Sequence, residues 1–304
     1  MDISVEQAVD LLQNEQVVAL PTETVYGLAA LASSQRAVRA IFALKQRPLH
    51  NPLILHVRDM EECLQYALPH QSFFDLAHAF WPGPLTCILP ARQERILPEV
   101  RAGLATCAFR CPSHPIMHQV LEQVSPLVAP SANLSGRPSA TCRAHVEEDF
   151  GSAFPVLDAG RTACGIESTI VMYQDGAWCI ARQGAISQEA LGKHLGYLPE
   201  IASTKQVICP GQLLRHYAPR AKMHLLLHPD APYVLGYKDR SYPGAQRVFS
   251  LGNSTDPDAM SFHLYDTLRE IDLHQIKEVW VDLDLPDVGL YRTIKERLRK
   301  AASS

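Results

Sequence analysis

The chain has 304 residues, 47% of them hydrophobic and 20% charged, the make-up of a globular protein with one large domain and a small one, or two medium ones. A formal net charge of −4 provides no global basic field for nucleic acid or anionic lipid, so either contact would rest on a local patch. No apolar run approaches the roughly 20 residues of a membrane span, and the opening "MDISVEQAVDLLQ" has no basic stretch ahead of an apolar core, so no membrane association and a cytoplasmic location are expected.

Residues 4–15 carry a helical period with Ser4 as N-cap, and residues 17–20 form a short interior strand stopped by Pro21. The next stretch, "PTETVYGLAA", places Thr22, Glu23, Thr24 and Tyr26 where the chain leaves the sheet. Ligands in open α/β sheets gather beyond the carboxyl ends of strands, so this turn reads as a pocket floor. A helix is predicted over 33–46, a strand over 52–57, a helix over 71–80 and strands over 85–89 and 104–110. A helix over 114–123, strands over 126–129, 168–173 and 178–182, and a helix over 187–195 complete an α/β unit too irregularly connected for a simple parallel sheet. Residues 196–220 hold three prolines and two glycines and read as a linker. Strands over 224–228, 233–237, 247–252 and 278–283, with helices over 259–272 and 291–302, make a second α/β unit. The expected division is 1–195, 196–220 and 221–304.

The eight cysteines are scattered without a CxxC pair and read as reduced core thiols. Cys107 and Cys111 would share a strand face and His114 and His118 a helix face, but neither pair has the four-ligand spacing of structural zinc or the glutamate of HExxH, so no bound zinc is expected. No GxGxxG or GxSxG occurs, and Ile166 and Glu167 follow Gly160–Gly165 where a P-loop needs Lys and Ser or Thr. Polar clusters instead stand at the ends of elements. Lys45 and Arg47 follow a helix, where a solvated C-terminus explains them as well as a site does. Ser131, Asn133 and Ser135 follow "PLVA", where a capped turn is the competing explanation. Arg110 follows a strand, Ser168 and Thr169 enter one, and Arg182 leaves one. Hydroxyls, amides and arginines without a nucleophile suit binding of a polyanion and positioning of substrates rather than covalent catalysis.

"LPTETVYGLAA", "ALKQRPLHNPLILHV", "FWPGPLT", "FRCPSHP", "APSANLSGRPSAT", "GIESTIV" and "ARQGAIS", in this order, closely resemble the YrdC-type threonylcarbamoyl-AMP synthase family. The paired K-x-R and S-x-N signature falls on Lys45, Arg47, Ser131 and Asn133, and "CPGQLLRHYAP" with the closing "LPDVGLYRTIKERLRKAA" resembles the longer, two-domain branch. The resemblance implies a twisted mixed sheet with a concave pocket, followed by a small Rossmann-like α/β domain. It implies synthesis of L-threonylcarbamoyl-AMP and pyrophosphate from L-threonine, bicarbonate and ATP with Mg²⁺. The product would pass to a separate threonylcarbamoyl transferase that modifies tRNA beside the anticodon; weak direct RNA contact stays open. By the same resemblance Thr24, His56, Arg110 and Ser168 would hold threonine, with Tyr26 walling the pocket. Thr22, Lys45, Arg47, Ser131, Asn133, Arg182 and Arg215 would hold the nucleotide, Lys45 and Arg47 stabilising the transferring phosphoryl, while His216 and Tyr217 would cover the site. The sequence departs from the family pattern at Gln46, Cys209 and Leu290–Tyr291. An RNA-binding module of the same fold without synthase activity is the alternative, and a hydrogenase-maturation type of carbamoyltransferase is a more distant one.

Overall fold

A computed structural model describes residues 1–202 and 216–303. Helix α1 (Val5–Gln13) starts on a capping box in which the Ser4 hydroxyl accepts from the Gln7 N–H and the Gln7 side chain accepts from the Ser4 N–H. It buries Ala8, Val9 and Leu12. Strand β1 (Val18–Leu20) pairs antiparallel with β2 (Gly27–Leu31), a strand within a stretch that the sequence presents only as a turn. Its "GLAAL" is too short and too rich in glycine and alanine to carry a strand signal of its own. Helix α2 (Gln35–Lys45) leads to β3 (Ile54–His56), and α3 (Met60–Tyr66) and α4 (Phe73–Phe80) lead to β4 (Leu85–Pro90). Strand β5 (Thr106–Arg110), α5 (Pro115–Gln123), β6 (Leu127–Val128), α6 (Arg143–Phe150), β7 (Thr169–Gln174), β8 (Ala177–Arg182) and α7 (Gln188–Leu195) follow. Helices α3 and α6 are absent from the sequence-based expectation; α6 buries only His145 and Val146, so it has almost no amphipathic stripe to read.

These eight strands form one mixed sheet in the order β1-β2-β6-β3-β5-β4-β7-β8. Strands β3 and β5 run parallel, with His56 opposite Arg110, while β4 runs antiparallel to β5 and parallel to β7. His56 and Arg110 therefore stand side by side at the carboxyl ends of two adjacent strands.

A second sheet is entirely parallel, in the order β11-β10-β12-β9, from β9 (Lys222–His224), β10 (Tyr233–Gly236), β11 (Arg247–Ser250) and β12 (Glu278–Val281). Helices α8 (Pro257–Leu273) and α9 (Gly289–Ala302) accompany it. The predicted strand at 224–228 shifts to 222–224: Leu226 is 86% exposed, so the leucine run that signalled a strand lies outside the core.

Helix α8 bridges the two sheets' layers. Its fully buried Arg269 donates to the Asp149 carboxylate (2.9 Å), the Glu148 carboxylate (2.8 Å) and the Pro138 carbonyl (2.6 Å). Asp266 accepts from Arg161 at 2.7 Å and lies 3.2 Å from His145. At Gly165, whose φ is +72°, a Cβ would fall 2.5 Å from the Ser261 carbonyl oxygen of α8, so only glycine lets the two backbones approach this closely.

Candidate active site

The site is assembled from the ends of elements. In the turn after β1, the Thr22 hydroxyl accepts from the Thr24 and Val25 N–H groups and donates to the Val25 carbonyl at 2.7 Å. Thr22 thus shapes the turn from within, and it is Thr24, fully buried, that reaches the cavity. Tyr26 faces the other way: its hydroxyl donates to the Gly160 carbonyl at 2.8 Å, so it ties the turn to a neighbouring loop and does not wall the pocket.

Thr24, Arg47, His56, Arg110, Ser131, Glu167, Ser168, Arg182, His216 and Tyr217 line one cavity of about 50 Å³. A larger cavity of about 470 Å³ adjoins it, sharing Arg47 and His216 and lined further by Asn51, Ser135, Arg137 and Arg220. A hollow of about 520 Å³ beside β8, walled by Trp178, Tyr197 and Ile201, is more spacious still but gathers none of the predicted site residues.

On the β3–β5 side the Arg110 guanidinium donates to Glu23 at 2.7 Å. Glu23, quoted in the sequence but given no role there, sets the orientation of Arg110; its second carboxylate oxygen is buried without a hydrogen-bond partner among the described residues. Burial, and then the charge of Arg110, push His56 down to about 3, so its ring is neutral at pH 7. His56 Nδ1 lies 3.2 Å from the Ile54 carbonyl; as the donor there, it leaves Nε2 to accept from a ligand.

The β7 entrance supplies Ser168, whose hydroxyl lies 2.7 Å from that of Thr86 and 3.1 Å from an Arg182 nitrogen that also donates to the Ser168 carbonyl. Gly184 makes this possible, since a Cβ there would sit 2.4 Å from the Ser168 carbonyl carbon.

Lys45 and Arg47, which a solvated helix end would have explained, are buried. Gln46 in the left-handed region ends α2 and turns the chain inward between them. Lys45 Nζ donates to the carbonyls of Ser131 (2.5 Å) and Asn133 (2.6 Å), so the K-x-R and S-x-N signatures are joined by direct hydrogen bonds. Lys45 itself and Asn133 stand behind the cavity wall rather than on it. The Asn133 amide donates to the Leu134 and Arg137 carbonyls. Arg47 donates to Asn51 and to the Pro52 carbonyl, both at 2.7 Å. Burial first, and then its like-charged neighbour, hold each cation below its ordinary range: Arg47 acts on Lys45, and Arg182 acts on Arg47. Arg215 lies outside the described residues.

Residues 10–184 match the family described as "Telomere recombination", of Sua5, YciO and YrdC proteins, and residues 186–303 match "Threonylcarbamoyl-AMP synthase, C-terminal domain". A Bacillus subtilis (strain 168) threonylcarbamoyl-AMP synthase is 35% identical over 99% of this chain and 93% of its own length. The chain belongs to the threonylcarbamoyl-AMP synthase family. A Pyrococcus abyssi threonylcarbamoyl-AMP synthase is 34% identical over 97% of this chain and 93% of its own length. The crystal structure of P. abyssi Sua5 complexed with L-threonine superimposes with a TM-score of 0.89 at 32% identity, covering 98% of this chain and 94% of that one. As a member of the synthase family the chain is an enzyme, a transferase, and its mixed sheet followed by a small α/β unit is the family's architecture. Sequence reasoning missed the carboxylate of Glu167 in the cavity wall, which stands inside "GIESTIV" with no helical or strand period to mark it. No described helix is long and apolar enough to cross a membrane.

Proposed function

We propose that the joined cavities are where L-threonine, bicarbonate and ATP are converted to L-threonylcarbamoyl-AMP and pyrophosphate. The observation that carries this reading is the convergence of Arg47, Arg110 and Arg182 on one buried cavity beside neutral His56 and Ser168. Arg110 takes the threonine carboxylate, the planar fork that Glu23 orients being suited to a bidentate contact. His56, Thr24 and Ser168 take its amine and hydroxyl. Arg47 and Arg182 face the phosphates, with Ser131 beside them, while Lys45 and Asn133 hold that wall in place with a positive field behind it. The larger cavity, which adjoins the small one at Arg47 and His216, takes the bulk of the nucleotide. Thr22 acts through the turn that presents Thr24.

The chemistry then needs no protein nucleophile. Bicarbonate loses hydroxide to give carbon dioxide, the threonine amine, having released one proton, adds to it, and the nitrogen gives a second proton to that hydroxide, leaving water and a carbamate. A carbamate oxygen then attacks the α-phosphorus while the bond from that phosphorus to the bridging oxygen breaks and pyrophosphate leaves. The arginines offset charge that grows in this step, and a closed, dry cavity protects the carbamate from water. No group of three or more potential metal ligands occurs among the described residues, and the carboxylate in the wall, Glu167, is engaged by Ser139, Tyr265 and Arg297. That donor set fits Mg²⁺ arriving on the triphosphate, where it neutralises phosphate charge.

The product serves threonylcarbamoyladenosine formation in tRNA through a separate transferase, in the cytoplasm, and the division 1–195, 196–220 and 221–304 separates the synthase unit, the connector and the small domain. The module that binds RNA without synthesis is not favoured, since curated relatives aligned over nearly the whole chain are synthases. The test is pyrophosphate release from ATP with threonine and bicarbonate omitted in turn. Release dependent on both is expected; release that ignores threonine, or that is equally fast with glycine, overturns the reading.

A further inference from the structure

Tyr217 closes the cavity from the C-terminal side, and two residues of the small domain hold its ring. The Arg297 guanidinium carbon of α9 lies 4.7 Å from the centre of the ring, and Tyr265 of α8 stacks on it with centroids 5.5 Å apart and an interplanar angle of 24°. The same two residues also grip Glu167, another lining residue of the cavity. Arg297 Nε donates to Glu167 at 3.0 Å, its Nη2 donates to the Gln183 carbonyl at 2.6 Å, and the Tyr265 hydroxyl lies 2.8 and 2.9 Å from the two Glu167 oxygens. All four side chains are buried. The Tyr217 backbone is left-handed, with φ of +67°, a conformation that a bulky residue holds only when its surroundings enforce it. Its hydroxyl is buried and has no hydrogen-bond partner among the described residues, although the ring lines the cavity together with Arg47 and Arg182.

We propose that Arg297 and Tyr265 are positioning residues of the synthase site: they clamp Tyr217 against the Glu167 wall, so the small domain sets how much of the adenylate formed is retained rather than lost to water. This rests on the proposed function. The physical argument is that each clamp residue touches Tyr217 and Glu167 at once, so the position of Tyr217 relative to Ser168 and Arg182 cannot change without breaking either a cation–π contact or a buried ion pair. The unpartnered hydroxyl of Tyr217 then meets the substrate as a donor at a fixed place. Docking as such is served by other groups of α8, among them Asp266, which pairs with Arg161 and His145 away from the cavity.

The experiment compares full-length wild type with Arg297→Lys, Tyr265→Leu, Tyr265→Phe and the docking control Asp266→Asn, following threonylcarbamoyl-AMP, AMP and pyrophosphate in the same reaction. Arg297→Lys keeps a cation for Glu167 but loses the flat face on Tyr217, and Tyr265→Leu loses the stack. Both are expected to raise the ratio of AMP to threonylcarbamoyl-AMP by about two- to thirtyfold, the factor carried by a cation–π or ring contact of about 0.5–2 kcal/mol. Tyr265→Phe, which keeps the stack on Tyr217 but loses the hydroxyl's hold on Glu167, should raise the ratio less than Tyr265→Leu does, and Asp266→Asn should leave it unchanged even where it lowers thermal stability. Tyr217→Ala reports the ratio of a site without the wall. An unaltered ratio in Arg297→Lys and Tyr265→Leu, or an equal rise in Asp266→Asn, overturns the inference. Wild type that releases pyrophosphate without threonine instead overturns the functional reading, so the two failures are separate.

Discussion

Two populations of buried charge lie on either side of Glu167 and follow opposite rules. On the cavity side, Lys45 and Arg47 donate to carbonyls and to an amide oxygen, and among the described residues neither meets a carboxylate. On the seam between the two sheets, Arg297 meets Glu167 and Arg269 meets Asp149 and Glu148. Burial lowers Lys45 and Arg47, whereas at Arg297 the nearby Tyr217, Glu296 and Glu167 outweigh burial and raise it. Neutral acceptors fix a cation in place without neutralising it, so its field remains for an incoming anion; carboxylates offset much of a cation's charge, as on the seam and, on the threonine side, at Arg110, where Glu23 engages one guanidinium nitrogen. The seam is therefore built for stability and the cavity for phosphate.

The comparison breaks first at Glu167→Gln. That change leaves Arg297 buried beside a neutral group, which should cost about 3–5 kcal/mol, read as a lower denaturant midpoint. The same carboxyl gives a pH signature. Against the raising effect of burial, Arg297 and then Arg182 hold it at about 2, below its ordinary 4.5. Its contribution is complete above pH 4.5 and is lost as pH falls toward 2, so acid unfolding of wild type should steepen in that window and the Glu167→Gln protein should lack that component. Arg47→Ala is next: kcat/KM should fall by roughly 10²–10³, as for removal of one preorganised donor, with a much smaller loss of thermal stability than at Glu167. If Arg47→Ala unfolds as readily as Glu167→Gln, the two sides do not differ in kind. Arg110→Lys sharpens the picture, since it keeps charge but loses the fork; the threonine KM should rise about tenfold while the ATP KM holds. The smallest effect concerns His56, whose neutral ring predicts a rate profile without an inflection near 6.5 attributable to it; loss of such an inflection in His56→Asn would contradict this assignment.

Much of the fold was legible because its signals are local. The Ser4–Gln7 cap, the amphipathic α2 and the β-branched run of β7 each state their structure within a dozen residues. β2 was not legible, since "GLAAL" gains its strand character only from pairing with β1 and β6. Nor was β9, where a leucine run promised burial that the tertiary structure gives to Met223 instead. The site residues stood out as polar groups at element ends, yet the same pattern allowed solvated helix ends and capped turns. Only burial and contact decide between those readings.

By itself the sequence determined the alternation of elements, the change from one α/β unit to another, and the chemical types that an adenylate-forming site without a nucleophile requires. The tertiary structure decided which member of each cluster faces the cavity. Thr24 does so and Thr22 does not, because the Thr22 hydroxyl is consumed in its own turn. Arg47 reaches the wall and Lys45 stands behind it, because Gln46 turns the chain between them. Arg297, some 130 residues from Glu167, enters the site's surroundings at all only through the packing of α9. Periodicity and composition carry information along a few turns of chain, whereas a buried ion pair between distant segments is specified by the shape and charge of two surfaces that exist only after folding.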